Sequence, residues 1–315
     1  MYYPSREQIL ASAGRIAFGI HRTPVLHSAY LDKAFDTSFY FKCENFQKAG
    51  AFKSRGAINA VFSLEEQQVS KGVATHSSGN HAQALARAAA LRQVPAYIVM
   101  PENAPRVKIK AVKGYGGRIT FCPPTLEARE NTLKQIILKT GAVEIHPYDD
   151  LKVIEGQATA AMELLETEPD LDIILCPVGG GGLLSGTALS ARYFSGKAKV
   201  IACEPAGADD AYRSFKSGRF VPSVHPNTIA DGLLTSLGRL TFPIVREFVD
   251  DIVTVEEKNI VKAMQLIFER MKIVVEPSSA VPLAAVLEKK VDVAGKKTGI
   301  ILSGGNVDLD HLPWQ

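Results

Sequence analysis

The chain has 315 residues, 46% of them apolar and 22% charged, which fits one large or two medium globular domains and excludes a disordered, collagen-like or membrane-spanning chain. Thirty-six basic residues against 33 acidic ones leave a net charge of +3, too balanced to point to nucleic acid. Cys43, Cys122, Cys176 and Cys203 stand far apart with no CxxC spacing and read as reduced core thiols; with no apolar leader after Met1, a cytoplasmic protein away from membranes is expected.

Short apolar runs at Ser38–Cys43, Val73–Thr75, Ala96–Met100, Ile119–Cys122, Ile173–Pro177, Val200–Cys203 and Gly299–Leu302 read as strands. Between them Ser54–Glu65, Asn80–Leu91, Arg106–Tyr115, Thr125–Lys139 and Ser185–Tyr193 carry helix formers at helical spacing. Strands that alternate with helices predict an α/β fold of parallel sheets covered on both faces. No repeat or linker divides the chain, so a second domain is expected as an insertion: residues 72–149 as a small domain within a large one made of 1–71 and 150–315.

Five clusters carry chemistry. In Phe46–Ala57, Lys53 opens a helix beside Phe52 and small residues, where a partly desolvated amine loses basicity and can attack an aldehyde; a solvated lysine at a helix start is the plain alternative. Thr75–Gln83 follows a strand with hydroxyls, an amide and free helix N–H groups, a nest for a carboxylate unless Ser77 or Ser78 only caps the helix. Gly179–Gly182 follow the strand ending at Pro177 and lead into a helix. A tight turn needs one or two glycines, and four in a row expose successive N–H groups to a phosphate. The loop lacks GxxxxGK[ST] and a ribose-binding acid, so ATPase and dinucleotide readings are weak. Glu204 and Asp210, six apart around Gly207, are oxygen donors of the kind Mg²⁺ or Ca²⁺ takes, or surface acids at a strand end. Ser303-Gly304-Gly305-Asn306 closes the last strand.

Together Phe52-Lys53, Ser77–His81, Gly179–Gly182 and Ser303–Asn306 resemble, over essentially the whole chain, the fold type II (tryptophan synthase β-like) pyridoxal-phosphate enzymes, in the branch of serine racemases and of serine, threonine and threo-3-hydroxyaspartate dehydratases. The resemblance implies two domains, each a largely parallel sheet flanked by helices, with pyridoxal 5'-phosphate between them and a small domain that moves when substrate binds. It implies that Lys53 bonds covalently to the cofactor aldehyde and later serves as base, that Gly179, Gly180, Gly181 and Gly182 hold the phosphate, and that Asn80 bonds the ring hydroxyl. Phe52 would pack on the ring and Ser303 meet its nitrogen. Ser77, Ser78, Asn80 and His81 would bind the substrate carboxylate. Ser78 would be the acid/base on the face opposite Lys53, or a helix cap. The expected activity is racemisation of serine with loss of water to pyruvate and ammonia; the alternative is a threo-3-hydroxyaspartate ammonia-lyase or a threonine/serine dehydratase.

The resemblance further implies a homodimer, Mg²⁺ (or Ca²⁺ or Mn²⁺) held by Glu204, Asp210 and the Ala208 carbonyl, and a nucleotide effector, ATP, near Lys48, Gln83, Lys108 and Tyr115, where solvated charges are the alternative. Arg129 on a small-domain helix could pair with a second substrate carboxylate or with a neighbour on its own helix. His146–Asp150 resembles the hinge and substrate loop of dehydratase-type members. Glu155 stands where a small residue is expected.

Overall fold

The computed structural model describes residues 3–77, 79–104 and 106–314. The chain starts with α1 (Arg6–Ile16), β1 (Val25–Leu26), α2 (Ala29–Phe35), β2 (Ser38–Cys43), α3 (Lys53–Ser63) and α4 (Glu66–Val69). It continues through β3 (Val73–His76), α5 (Asn80–Leu91), β4 (Ala96–Pro101), α6 (Arg106–Gly114), β5 (Arg118–Cys122), α7 (Leu126–Thr140) and β6 (Val143–Glu144). Next come α8 (Leu151–Thr167), β7 (Ile173–Pro177), α9 (Gly182–Phe194), β8 (Lys199–Pro205), α10 (Asp210–Ser217), α11 (Thr241–Phe248) and β9 (Asp251–Val255). The last elements are α12 (Glu257–Met271), α13 (Pro277–Leu287) and β10 (Lys297–Leu302).

The strands form two sheets, β1-β2-β10-β7-β8-β9 and β5-β4-β3-β6, parallel throughout except for β1 against β2. All five residues of β7 are buried because both faces are covered: Leu175 packs among α12 and α13, while Ile174 and Cys176 point to α8 and α9. This period-two division, repeated in β10 by Ile300 and Leu302 against Ile301, makes a continuous apolar run a central strand. The smaller sheet comes wholly from residues 73–144. Its core nevertheless reaches into Ala57, Ile58 and Val61 of α3 and Ile16 of α1. Among the described residues no helix is long and apolar enough to cross a membrane, and the four cysteines are buried and free.

Two features fix where α3 begins. At Gly56 and Gly156 helices α3 and α8 touch so closely that a Cβ on Gly156 would lie 2.6 Å from the Gly56 Cα. Two residues after Lys53, the fully buried Arg55 makes paired hydrogen bonds with Glu44 (2.7 and 2.8 Å) and Glu163 (2.7 and 2.8 Å), and Lys42 joins Glu163 at 2.6 Å. The structure also accounts for Glu155: its buried carboxylate accepts from Ser12 of α1 and from Lys152, tying α1 to α8.

Candidate active site

Strands β2, β10 and β7 are neighbours, and their carboxyl ends open on one edge of the sheet, the place where open α/β sheets bind ligands. From β2 the chain passes through two short 3-10 turns to Lys53; from β10 it passes to Ser303–Asn306; from β7 it enters the glycine loop. Asn80, four residues after β3, faces this edge, as its contacts with Glu276 and Asn306 show.

The Lys53 amine donates to the Pro147 carbonyl at 2.7 Å and sits 5.0 Å from the centre of the Phe52 ring. Burial lowers its pKa to about 8, with Glu276 pulling the other way, so an appreciable fraction is uncharged and nucleophilic near neutrality. Asn80 donates to both oxygens of Glu276 at 2.9 Å and accepts from Asn306 at 2.9 Å, and Asn306 also donates to the Ala49 carbonyl. Glu276 is buried, and desolvation pushes its carboxyl up to about 7 against the Asn80 hydrogen bond. Glu276 is a site residue that sequence reasoning missed, whereas Asn306 belongs to the Ser303–Asn306 cluster, which the sequence singles out without giving this residue a role. The available signal was Glu276-Pro277, an acid set just ahead of a proline that opens a buried helix.

Each glycine of the loop is required. A Cβ on Gly179 would lie 2.7 Å from the Leu233 backbone, Gly180 and Gly182 lie against Tyr148, and Gly181 has φ +85°. The loop enters α9 without a side-chain cap, leaving the first N–H groups of the helix free for an anion. Ser303 is buried with its hydroxyl 3.1 Å from that of Ser279. Helix α5 also starts without a side-chain cap, and Ser77 accepts from the Gly79 N–H ahead of it, so Ser77 does not cap the helix. Ser78 lies outside the described residues. The His81 side chain turns inward, its Nε2 3.1 Å from the Ile145 carbonyl; burial first, then Lys53, holds its pKa well below 6.5. Arg129 makes no ion pair among the described residues, and its buried Nε has no partner; its charge lowers the pKa of His76, after burial.

The pyridoxal-phosphate dependent enzyme family matches residues 16–304. The chain belongs to that family. It is 54% identical to a serine racemase of Dictyostelium discoideum, covering 95% of this chain and 93% of that one. It is 50% identical to a β-hydroxyaspartate dehydratase of Paracoccus denitrificans over the full length of both. The solved structure of maize serine racemase superposes with a TM-score of 0.96 at 48% identity, covering 98% of this chain and 95% of that one.

As a pyridoxal-phosphate enzyme the chain carries residues that fit its cofactor: a reactive lysine, a Cβ-free loop at an uncapped helix start, and hydroxyl and amide groups between them. Away from this cleft, Glu204 and Asp210 are buried, contrary to the expectation open to surface acids. Glu204 accepts from the Ala211 and Tyr212 N–H groups, and burial raises its carboxyl to about 9. Neither Asp210 oxygen has a well-formed hydrogen bond among the described residues; burial raises this carboxyl to about 6, with the Ser223 hydroxyl opposing. Ala208, two residues before Asp210, is buried as well. The described residues contain no cluster of three or more His, Cys, Asp or Glu side chains able to hold a metal. Lys48 and Gln83 lie where the second 3-10 turn meets α5, whereas Lys108 is paired with Asp231, reaching from α6 to the turn at Asp231–Leu233.

Proposed function

We propose that this enzyme is a serine racemase that also dehydrates serine to pyruvate and ammonia. The observation that carries the reading is the Lys53 amine, its pKa lowered to about 8, which donates to the Pro147 carbonyl, together with the start of α5, which has no side-chain cap. When bound, pyridoxal phosphate supplies a sink for the electron pair left at Cα when its proton departs. Gly179–Gly182 hold its phosphate, Asn80 its ring hydroxyl, Ser303 its ring nitrogen and Phe52 its ring face. The protein then needs to supply orientation and proton transfer. Lys53 takes or returns the proton on one face, and Ser78 does so on the other. The N–H groups at the start of α5, with Ser77 and Asn80, orient the substrate carboxylate. Residues 72–149 close over the cleft and exclude water. The similarity to a serine racemase at 54% identity supports this substrate. The test is chiral product analysis with L-serine: D-serine beside pyruvate is expected, and pyruvate alone would remove Ser78 from the proton-transfer role.

The buried, partnerless Nε of Arg129 favours one second reading, a threo-3-hydroxyaspartate ammonia-lyase whose additional carboxylate meets Arg129. Oxaloacetate formed from L-threo-3-hydroxyaspartate much faster than any product from serine, and lost in Arg129→Ala, would establish it. We further propose that Glu204, Asp210 and the Ala208 carbonyl hold Mg²⁺ or a similar divalent ion, supported by the buried Asp210 carboxyl, whose oxygens have no well-formed hydrogen bond among the described residues. Chelation is expected to lower thermal stability in the native protein and to do nothing in Glu204→Ala. A cytoplasmic homodimer with ATP bound near Lys48, Gln83, Lys108 and Tyr115 completes the proposal; light scattering and ATP titration test it.

A further inference from the structure

Five consecutive residues that lead from the smaller sheet into α8 each anchor a different part of the molecule. The His146 Nδ1 accepts from the Tyr148 and Asp149 N–H groups at 3.3 and 2.8 Å, closing the turn on itself. Pro147 receives the Lys53 amine, and Asp150 caps α8 through the Lys152 and Val153 N–H groups. Tyr148 packs on Gly180 and Gly182. Asp149 reaches across to α11, where its Oδ1 accepts from Leu240 (2.7 Å) and Thr241 (3.3 Å) and its Oδ2 from Arg239 (3.0 Å). Helix α11 has no side-chain cap of its own, so its cap comes from 92 residues away. Gly238 leaves the room: a Cβ there would meet the Asp149 carboxylate.

The Thr241 hydroxyl, placed by this cap, accepts from the Gly238 N–H at 2.6 Å and donates to the Gly180 carbonyl at 2.9 Å. Four glycines have the largest backbone entropy to lose, so a loop made of them needs external anchors to hold one shape. Because the peptide unit is planar and trans, pinning the Gly180 carbonyl on Thr241 aims the Gly181 N–H the opposite way, away from Thr241. We infer that Asp149 is a positioning residue for the glycine loop, acting through Thr241: the carboxylate seats the start of α11, and the Thr241 hydroxyl sets the orientation of the Gly180–Gly181 peptide that faces the cofactor phosphate. This rests on the reading of Gly179–Gly182 as the phosphate holder.

The experiment is equilibrium dialysis of the holoenzyme against graded pyridoxal phosphate, with occupancy read from cofactor absorbance, for the native protein, Asp149→Asn, Thr241→Val, Thr241→Ser and the Asp149→Asn/Thr241→Val double variant. Each of Asp149→Asn and Thr241→Val is expected to weaken cofactor binding about tenfold, the scale of one lost hydrogen bond with a buried partner. Thr241→Ser, which keeps the hydroxyl, is expected to bind as the native protein does. Residues acting through one another do not add, so the double variant should stay near tenfold. A lowered Tm with unchanged cofactor affinity in Asp149→Asn, or a double variant weakened about a hundredfold, would overturn the inference. Pyridoxal, which lacks the phosphate, separates it from the reading beneath it. If the native protein binds pyridoxal as tightly as pyridoxal phosphate, the loop is not the phosphate holder; if Asp149→Asn weakens pyridoxal and pyridoxal phosphate by the same factor, the loop holds phosphate but Asp149 does not position it.

Discussion

Lys53 and Arg55 stand two residues apart on the same helix turn, Arg55 fully buried and Lys53 half-buried, and the structure treats them in opposite ways. Arg55 is enclosed by the carboxylates of Glu44 and Glu163; burial alone would lower its pKa, but the two acids outweigh burial and raise it, so the charge is permanent. Lys53 has a neutral carbonyl as hydrogen-bond partner and Glu276 as a more remote acid, which does not offset desolvation. A buried cation saturated by carboxylates is an anchor, whereas one left under-compensated gains reactivity. Arg55 holds the start of α3 still, and Lys53 uses the position so defined.

The comparison breaks most sharply at Lys53. Lys53→Ala should lose turnover by on the order of 10³-fold or more and lose the absorbance of covalently held cofactor, measured by steady-state kinetics and visible spectroscopy; retained turnover would refute its role. Arg55→Met should instead cost about 3–5 kcal/mol of stability in equilibrium denaturation, since it leaves two carboxylates buried without their partner.

A third variant concerns the turn that receives the Lys53 amine. Burial lowers the His146 pKa to about 4, so between pH 6.5 and pH 4 the unfolded chain binds a proton that the folded one refuses. This contribution is complete above pH 6.5 and is lost as the pH falls towards 4, by about 2–3 kcal/mol. His146→Asn keeps an acceptor for the two N–H groups and should flatten that window in denaturation curves taken from pH 7 to 4. The smallest effect is expected from Glu276→Gln. Since Glu276 raises the Lys53 pKa, its neutralisation should move the amine further below about 8, by roughly one unit or less, read from the pH dependence of cofactor association.

Much of this was legible in the sequence where chemistry is local. β2 and β7 fall where their apolar runs predict, and the expected start of α5 at Asn80 is where the helix begins. Strands β1, β6 and β9 and helices α1, α2, α4, α8, α10, α11, α12 and α13 were not foreseen. β1 and β6 have two residues each, too few for a period, and the α13 segment is apolar on all sides, which hides helical spacing. Glu204 and Asp210 look like surface acids in a polar stretch, and only the folded chain shows both buried.

The sequence by itself determined the lysine, the run of four glycines and the carboxyl-end loops, because a strand followed by a glycine-rich turn and a helix start is a local property of backbone conformation. The tertiary structure alone decided how these groups are tuned. Glu276 meets Asn80 across 196 residues, Pro147 receives Lys53 across 94, and Asp149 caps α11 across 92. Desolvation and hydrogen bonding depend on which atoms surround a group in space, and no spacing along the chain encodes them.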